Sequence, residues 1–142
     1  MYILVLLYIL FLSRSTTDIS ITYNEWLQKM YNFIPFRNLY DFWTAPVKTV
    51  DYCLIIIKNI LGNIVLFLPF GFFLPVLFLK CTKFKVFFLI TLLTLLIVEL
   101  VQFLTMLGAF DINDIVLNLI GAIVGFLINK YSKTKRLFNK QI

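Results

Sequence analysis

The sequence predicts an all-α, polytopic membrane protein: a small bundle of about four transmembrane helices, the first of them short, with a polar cavity in the outer-leaflet half. Three observations carry that expectation. First, 61% of the 142 residues are hydrophobic and 18% aromatic, with a mean hydropathy of +0.95, which leaves too little polar surface to cover a water-soluble globule. Second, apolar runs near the roughly 20 residues needed to cross a bilayer recur through the later part of the chain. Third, the polar residues that interrupt those runs fall at helix ends sharing one side of the membrane. The length suits a single membrane domain over 1–142 with no second soluble domain.

The first run, "YILVLLYILFL" from Tyr2 to Leu12, is too short to cross a bilayer unaided. It lacks a basic leading region, and "LSRSTT" after it offers no small-x-small cleavage site, so it reads as a short or N-terminally clipped spanning helix in preference to a signal peptide. Residues 13–52 form an extracytoplasmic or interfacial loop. There Trp26, Tyr31, Phe33, Phe36, Tyr40, Phe42 and Trp43 suggest an aromatic belt, and Arg14, Lys29, Arg37 and Lys48 balance Asp18, Glu25, Asp41 and Asp51. Three clearer spans follow, at about Cys53 to Leu79, Phe84 to Met106 and Ile112 to Ile128. Lys80, Lys83 and Lys85 follow the second span, and a basic tail over 130–142 carries Lys130, Lys133, Lys135, Arg136 and Lys140, whereas Leu107 to Asp111 has no positive charge. The positive-inside rule makes the lysine loop and the tail cytoplasmic, giving a multi-pass protein of the cell membrane with both termini inside.

The net charge of +6 therefore reads as topology and anionic-lipid contact, and nothing in the chain signals nucleic-acid binding. Cys53 and Cys81, at opposite ends of one apolar segment, would stand roughly 40 Å apart on a helix, beyond disulfide reach. There is no His, which excludes ordinary zinc and haem sites; any metal would have to be oxygen-ligated, and no metal or cofactor is assigned.

Asn59 and Asn63 enter with the second span, Glu99 and Gln102 lie near the exit of the third, and Asp111, Asp114 and Asn118 begin the fourth. Short loops put all these ends on one side. At 100° per residue Asp111, Asp114, Asn118, Gly121 and Gly125 share one stripe, with Asn113 expected to point elsewhere, and Glu99 and Gln102 share a face of their own helix. A lipid-facing carboxylate costs about 2.5 to 3.5 kcal/mol on insertion scales, so both stripes should face inward. Gly121 and Gly125 form a GxxxG that admits a close neighbour, while Pro69 and Pro75 should kink the second span and Gly71 allow close packing. Bland roles compete with chemistry. Asp111 and Asp114 could cap their helix, and Asn63, Gln102 and Asn118 could serve as interhelical glue. Capping does not explain Glu99.

"GNIVLFLPFGFFLP" (Gly62 to Pro75), "VELVQF" (Val98 to Phe103) and "FDINDIVLNLIGAIVG" (Phe110 to Gly125) resemble the signature blocks of the VanZ-like family, and "NFIPF" (Asn32 to Phe36) resembles its Asn-x-x-Pro-Phe segment. The family's pattern falls on Asn63, Phe67, Pro69, Gly71, Glu99, Gln102, Asp111, Asp114, Asn118 and Gly121, and departs at Asn113, where many relatives have an acid. The resemblance implies a bacterial cell-envelope protein that lowers susceptibility to teicoplanin-type glycopeptides by a non-enzymatic or unknown route. Two other classes stay open. One is a membrane-embedded enzyme acting on a lipid-linked envelope precursor, with Glu99 or Asp114 as acid or base; the other is a small transporter. No residue is assigned as catalytic. Membrane lipids are the expected partners, with a lipid-linked cell-wall precursor or a lipoglycopeptide as candidate ligands, and the oligomeric state is left open.

Overall fold

The structure, a computed structural model, describes residues 1–12, 22–25, 31–32, 44, 50–108 and 110–138. Most of the expected loop at 13–52, with the aromatics Trp26, Phe33, Phe36, Tyr40, Phe42 and Trp43, lies outside the described residues, as does the end of the tail at 139–142. The chain begins with α1 (Tyr2–Leu7) and a π-helical turn over Tyr8–Leu12. A two-residue stub, β1 (Tyr31–Asn32), precedes the long helix α2 (Val50–Leu77). A 3₁₀ turn (Leu79–Thr82) leads to α3 (Phe84–Leu104), and β2 (Phe110–Asp111) leads into α4 (Ile112–Phe138). The two stubs pair in parallel, Tyr31 beside Phe110 and Asn32 beside Asp111.

Among the described residues, three helices are long and apolar enough to cross a membrane, over Cys53–Leu77, Phe84–Leu104 and Ile112–Ser132. The first segment is helical but short, as its length predicts. The expected ends of the other three shift for local reasons. The second span stops at Leu77 because Phe78 is extended (φ −123°, ψ 108°) and the chain turns through the 3₁₀ segment, where the Thr82 hydroxyl donates to the Leu79 carbonyl at 2.7 Å. The third stops at Leu104 because Met106 takes a left-handed φ of 58°. The amides of Met106 and Leu107 then bond back to the carbonyls of Phe103 (3.2 Å) and Gln102 (2.9 Å), the double closure of a Schellman cap. The fourth continues to Phe138 instead of ending near 128. Beyond Gly125 it meets no Gly or Pro, so the basic residues to Arg136 ride on one continuous helix.

Helices α2 and α4 make the main contact of the bundle, and they run in the same direction, since Ile64 meets Gly121 and Leu68 meets Gly125. A Cβ on Gly121 would collide with the Ile64 carbonyl, one on Gly125 with the Leu68 carbonyl, and one on Gly71 with the Ala122 carbonyl. Three glycines thus bring two backbones into contact. Lipid tails are as apolar as leucine, so such packing, more than water exclusion, holds membrane helices together. Pro69 and Pro75 both lie inside the unbroken helix α2. Below the seam, Phe87 of α3 stacks on Phe126 of α4 with centroids 4.5 Å apart, and Phe84 meets Phe126 edge-on at 5.7 Å. Cys53 and Cys81 are both free thiols.

Candidate functional site

The polar residues gather where the first half of α2 meets the end of α3 and the start of α4. Three connections organise them. On α2, the Asn63 side-chain amide donates across the helix seam to the Asp114 carboxylate at 2.7 Å and along its own helix to Asn59 Oδ1 at 3.2 Å. At the top of α4, the backbone N–H of Asp111 donates to Glu99 Oε2 at 3.2 Å, which fastens the entry of α4 to the end of α3. Gln102, one turn beyond Glu99 on the same face, sends its Nε2 to the backbone carbonyl of Leu10 at 2.8 Å and so secures the π-helical turn of the first segment.

Asp111 occupies the N-cap of α4: its Oδ1 accepts the Asn113 backbone N–H at 2.9 Å, satisfying one of the amides that a helix start leaves without an internal partner. The expectation that Asn113 points away from this group is corrected. Its Nδ2 reaches back to the same Asp111 oxygen at 2.8 Å, and the residue is buried. The rotation of about 100° per residue that would set the two positions on opposite faces holds only inside the helix. Asp111 stands before it, where the chain direction differs and a short amide can fold back.

Burial is deep. Glu99 is 2% exposed, Gln102 is 0%, Asn118 is 2% and Asp114 is 6%. Two buried acceptors, Gln102 Oε1 and Asn118 Oδ1, have no hydrogen-bond partner, a costly condition in an apolar interior. Asn118 lies one turn below Asp114 on the α4 stripe, so its unpaired acceptor extends the polar group toward the glycine seam. Among the described residues no group of three or more acids and thiols is arranged to hold a metal ion.

Of the six residues in the expected polar cluster, Asn63 and Asp114 meet directly, Glu99 and Asp111 meet through a backbone amide, and Gln102 is directed to the first segment. Pro69 lies inside α2, while Gly71, Gly121 and Gly125 lie in the seam. Sequence reasoning missed three contributors. The Tyr2 hydroxyl donates to the Leu66 carbonyl at 2.7 Å and ties α1 to α2. Asn113 supports Asp111. Lys58, exposed on α2, lines a groove of about 360 Å³ with Ile9, Asn59, Gly62, Asn63, Val65 and Leu66. For Lys58 a signal existed, because it is the one charged residue between Cys53 and Leu77. For Tyr2 none did, since its bond depends on how separate segments meet; for Asn113 the signal was local, a short amide two residues after an N-cap acid.

The family model described as VanZ/LLP1 matches residues 1–133. Protein VanZ of Enterococcus faecium is 34% identical over 84 residues, covering 56% of this chain and 52% of the relative. The chain thus spans about half the length of that curated relative. No solved structure matches it.

Proposed function

This chain belongs to the VanZ/LLP1 family, and from that premise we propose that it is a bacterial cell-envelope protein that lowers susceptibility to lipid-tailed glycopeptides of the teicoplanin type, without chemical turnover. It sits in the cell membrane as a single domain with both termini cytoplasmic, so that the start of α2, the end of α3 and the start of α4 lie in the outer leaflet, where a lipoglycopeptide arrives. The positive-inside pattern of Lys80, Lys83 and Lys85 and of the α4 tail supports this orientation.

The observation that carries the non-enzymatic reading is how the carboxylates are used. Asp114 accepts from Asn63, Asp111 caps α4, and Glu99 accepts the Asp111 amide. Each acid holds one element to another or closes a helix start. A general acid or base needs a reacting proton within hydrogen-bond reach and a pKa matched to the task, and the chain has no His to share such work. The polar group is then a brace that fixes the outer ends of the helices and shapes the surface offered to lipid.

Expression in a susceptible host tests this. Tolerance to a lipid-tailed glycopeptide should rise more than tolerance to vancomycin, and equality with the empty vector would remove the reading. Glu99→Gln keeps shape and hydrogen bonding but cannot ionise, so under the brace reading it retains most tolerance at normal abundance. Loss of tolerance with the protein still accumulating would instead favour the enzyme acting on a lipid-linked precursor.

A further inference from the structure

Lys58 stands about 8 Å inside the apolar window that opens at Cys53. A lysine at that depth on an exposed helix face is costly unless its ammonium reaches polar headgroups or a counter-ion. Among the described residues no carboxylate lies within ion-pair distance of it. Its surroundings form a built groove. Asn59 follows it, exposed and lining the same groove, and because its side-chain carbonyl accepts from Asn63 at 3.2 Å, its amide is the end that remains to donate. Gly62 gives the groove its floor: a Cβ there would meet nothing within 4 Å. Ile9, Val65 and Leu66 supply apolar walls.

We propose that this groove binds an anionic phospholipid, the Lys58 ammonium and Asn59 amide taking the headgroup phosphate while Gly62, Ile9, Val65 and Leu66 receive the first carbons of an acyl chain. A phosphodiester suits the donor set, since it presents negative oxygens that an ammonium and a neutral amide can share. The apolar walls beside those donors suit a phosphate that carries a lipid, where a soluble anion would gain nothing from them. Through Asn63 the Asn59 carbonyl is linked to the Asp114 carboxylate, so an occupied headgroup site adjoins the brace between α2 and α4. Nothing in this placement depends on which face of the membrane the groove opens toward, or on antibiotic tolerance.

The test uses the full chain reconstituted in nanodiscs of equal phosphatidylglycerol and phosphatidylcholine, followed by native mass spectrometry of the lipids retained on release. Phosphatidylglycerol should be retained over phosphatidylcholine about fivefold, the worth of one basic side chain at an anionic surface. Lys58→Gln should bring the ratio close to one and Lys58→Arg should preserve it. Gly62→Leu, whose side chain grows into open space, should reduce retention of both lipids with the protein still folded. A wild-type ratio in Lys58→Gln, or undiminished retention in Gly62→Leu, overturns the proposal. Displacement of the lipid by excess inorganic phosphate also overturns it, because the site would then serve a free anion.

Discussion

At the scale of single residues, the contact that matters most is the 2.7 Å bond from Asn63 to Asp114. Interhelical hydrogen bonds in membranes are worth about 0.6 kcal/mol on average and up to about 1.7, and a carboxylate partner puts this one toward the upper end. A double-mutant cycle of Asn63→Ala and Asp114→Ala, read by unfolding in mixed micelles, should give a coupling energy of about 1 to 1.7 kcal/mol. Strictly additive losses would mean the two side chains do not act together. Asp111→Asn should behave more mildly, since asparagine caps a helix nearly as well and only the charge–dipole part, about 0.3 to 1 kcal/mol, is lost. Burial of Gln102 and Asn118 was legible from their spacing on inward stripes. That each leaves an acceptor without a partner was not, because it depends on what the neighbouring helices present.

At the scale of elements, the glycines of α2 and α4 divide into two kinds that the sequence does not distinguish. Gly71, Gly121 and Gly125 have a facing backbone where a Cβ would go, whereas Gly62 has open space. Gly121→Ala and Gly125→Ala should each lower the melting temperature or prevent accumulation, since the α2–α4 seam has to open to admit the methyl group. Gly62→Ala should be neutral or stabilising by up to about 1 kcal/mol, as expected for removing a glycine from a helix interior. If all three alanines behave alike, the close seam is wrong. The end of α3 offers an independent check: Met106 adopts a left-handed φ that costs a side-chain-bearing residue about 1 to 2 kcal/mol. Met106→Gly should raise thermal stability by part of that amount, while Met106→Val should lower it. The hydrophobic run alone pointed to a helix reaching Met106, because apolar composition marks where a helix can continue and gives no sign of where the backbone turns back on itself.

At the scale of the whole molecule, the proposed orientation is open to cysteine labelling, and the structure decides which positions can report it. Cys81 lies in the lysine loop but is 2% exposed, so its protection from an impermeant maleimide would reflect burial whichever side it faces. Thr82 is exposed in the same turn. In a background lacking native thiols, Thr82→Cys should stay unlabelled in intact cells and react after permeabilisation, while Gly108→Cys, in the charge-free connection, should react in intact cells. Labelling of residue 82 but not 108 from outside would invert the bundle and place the polar group in the cytoplasmic leaflet.

The sequence by itself determined the membrane class, the three long apolar helices, the inward stripe on α4 and the glycines that could admit a neighbour. These follow from local composition and helical period, each read within one segment. Tertiary structure decided which partner each polar group takes: Asn63 with Asp114, Glu99 with the amide of Asp111, Gln102 with Leu10 and Tyr2 with Leu66. It also set Lys58 at the mouth of a groove. The physical reason is that hydrogen bonds act over about 3 Å. A helical repeat fixes which face a residue occupies, but the height and approach of a neighbouring helix are fixed only when Gly71, Gly121 and Gly125 let the two backbones touch.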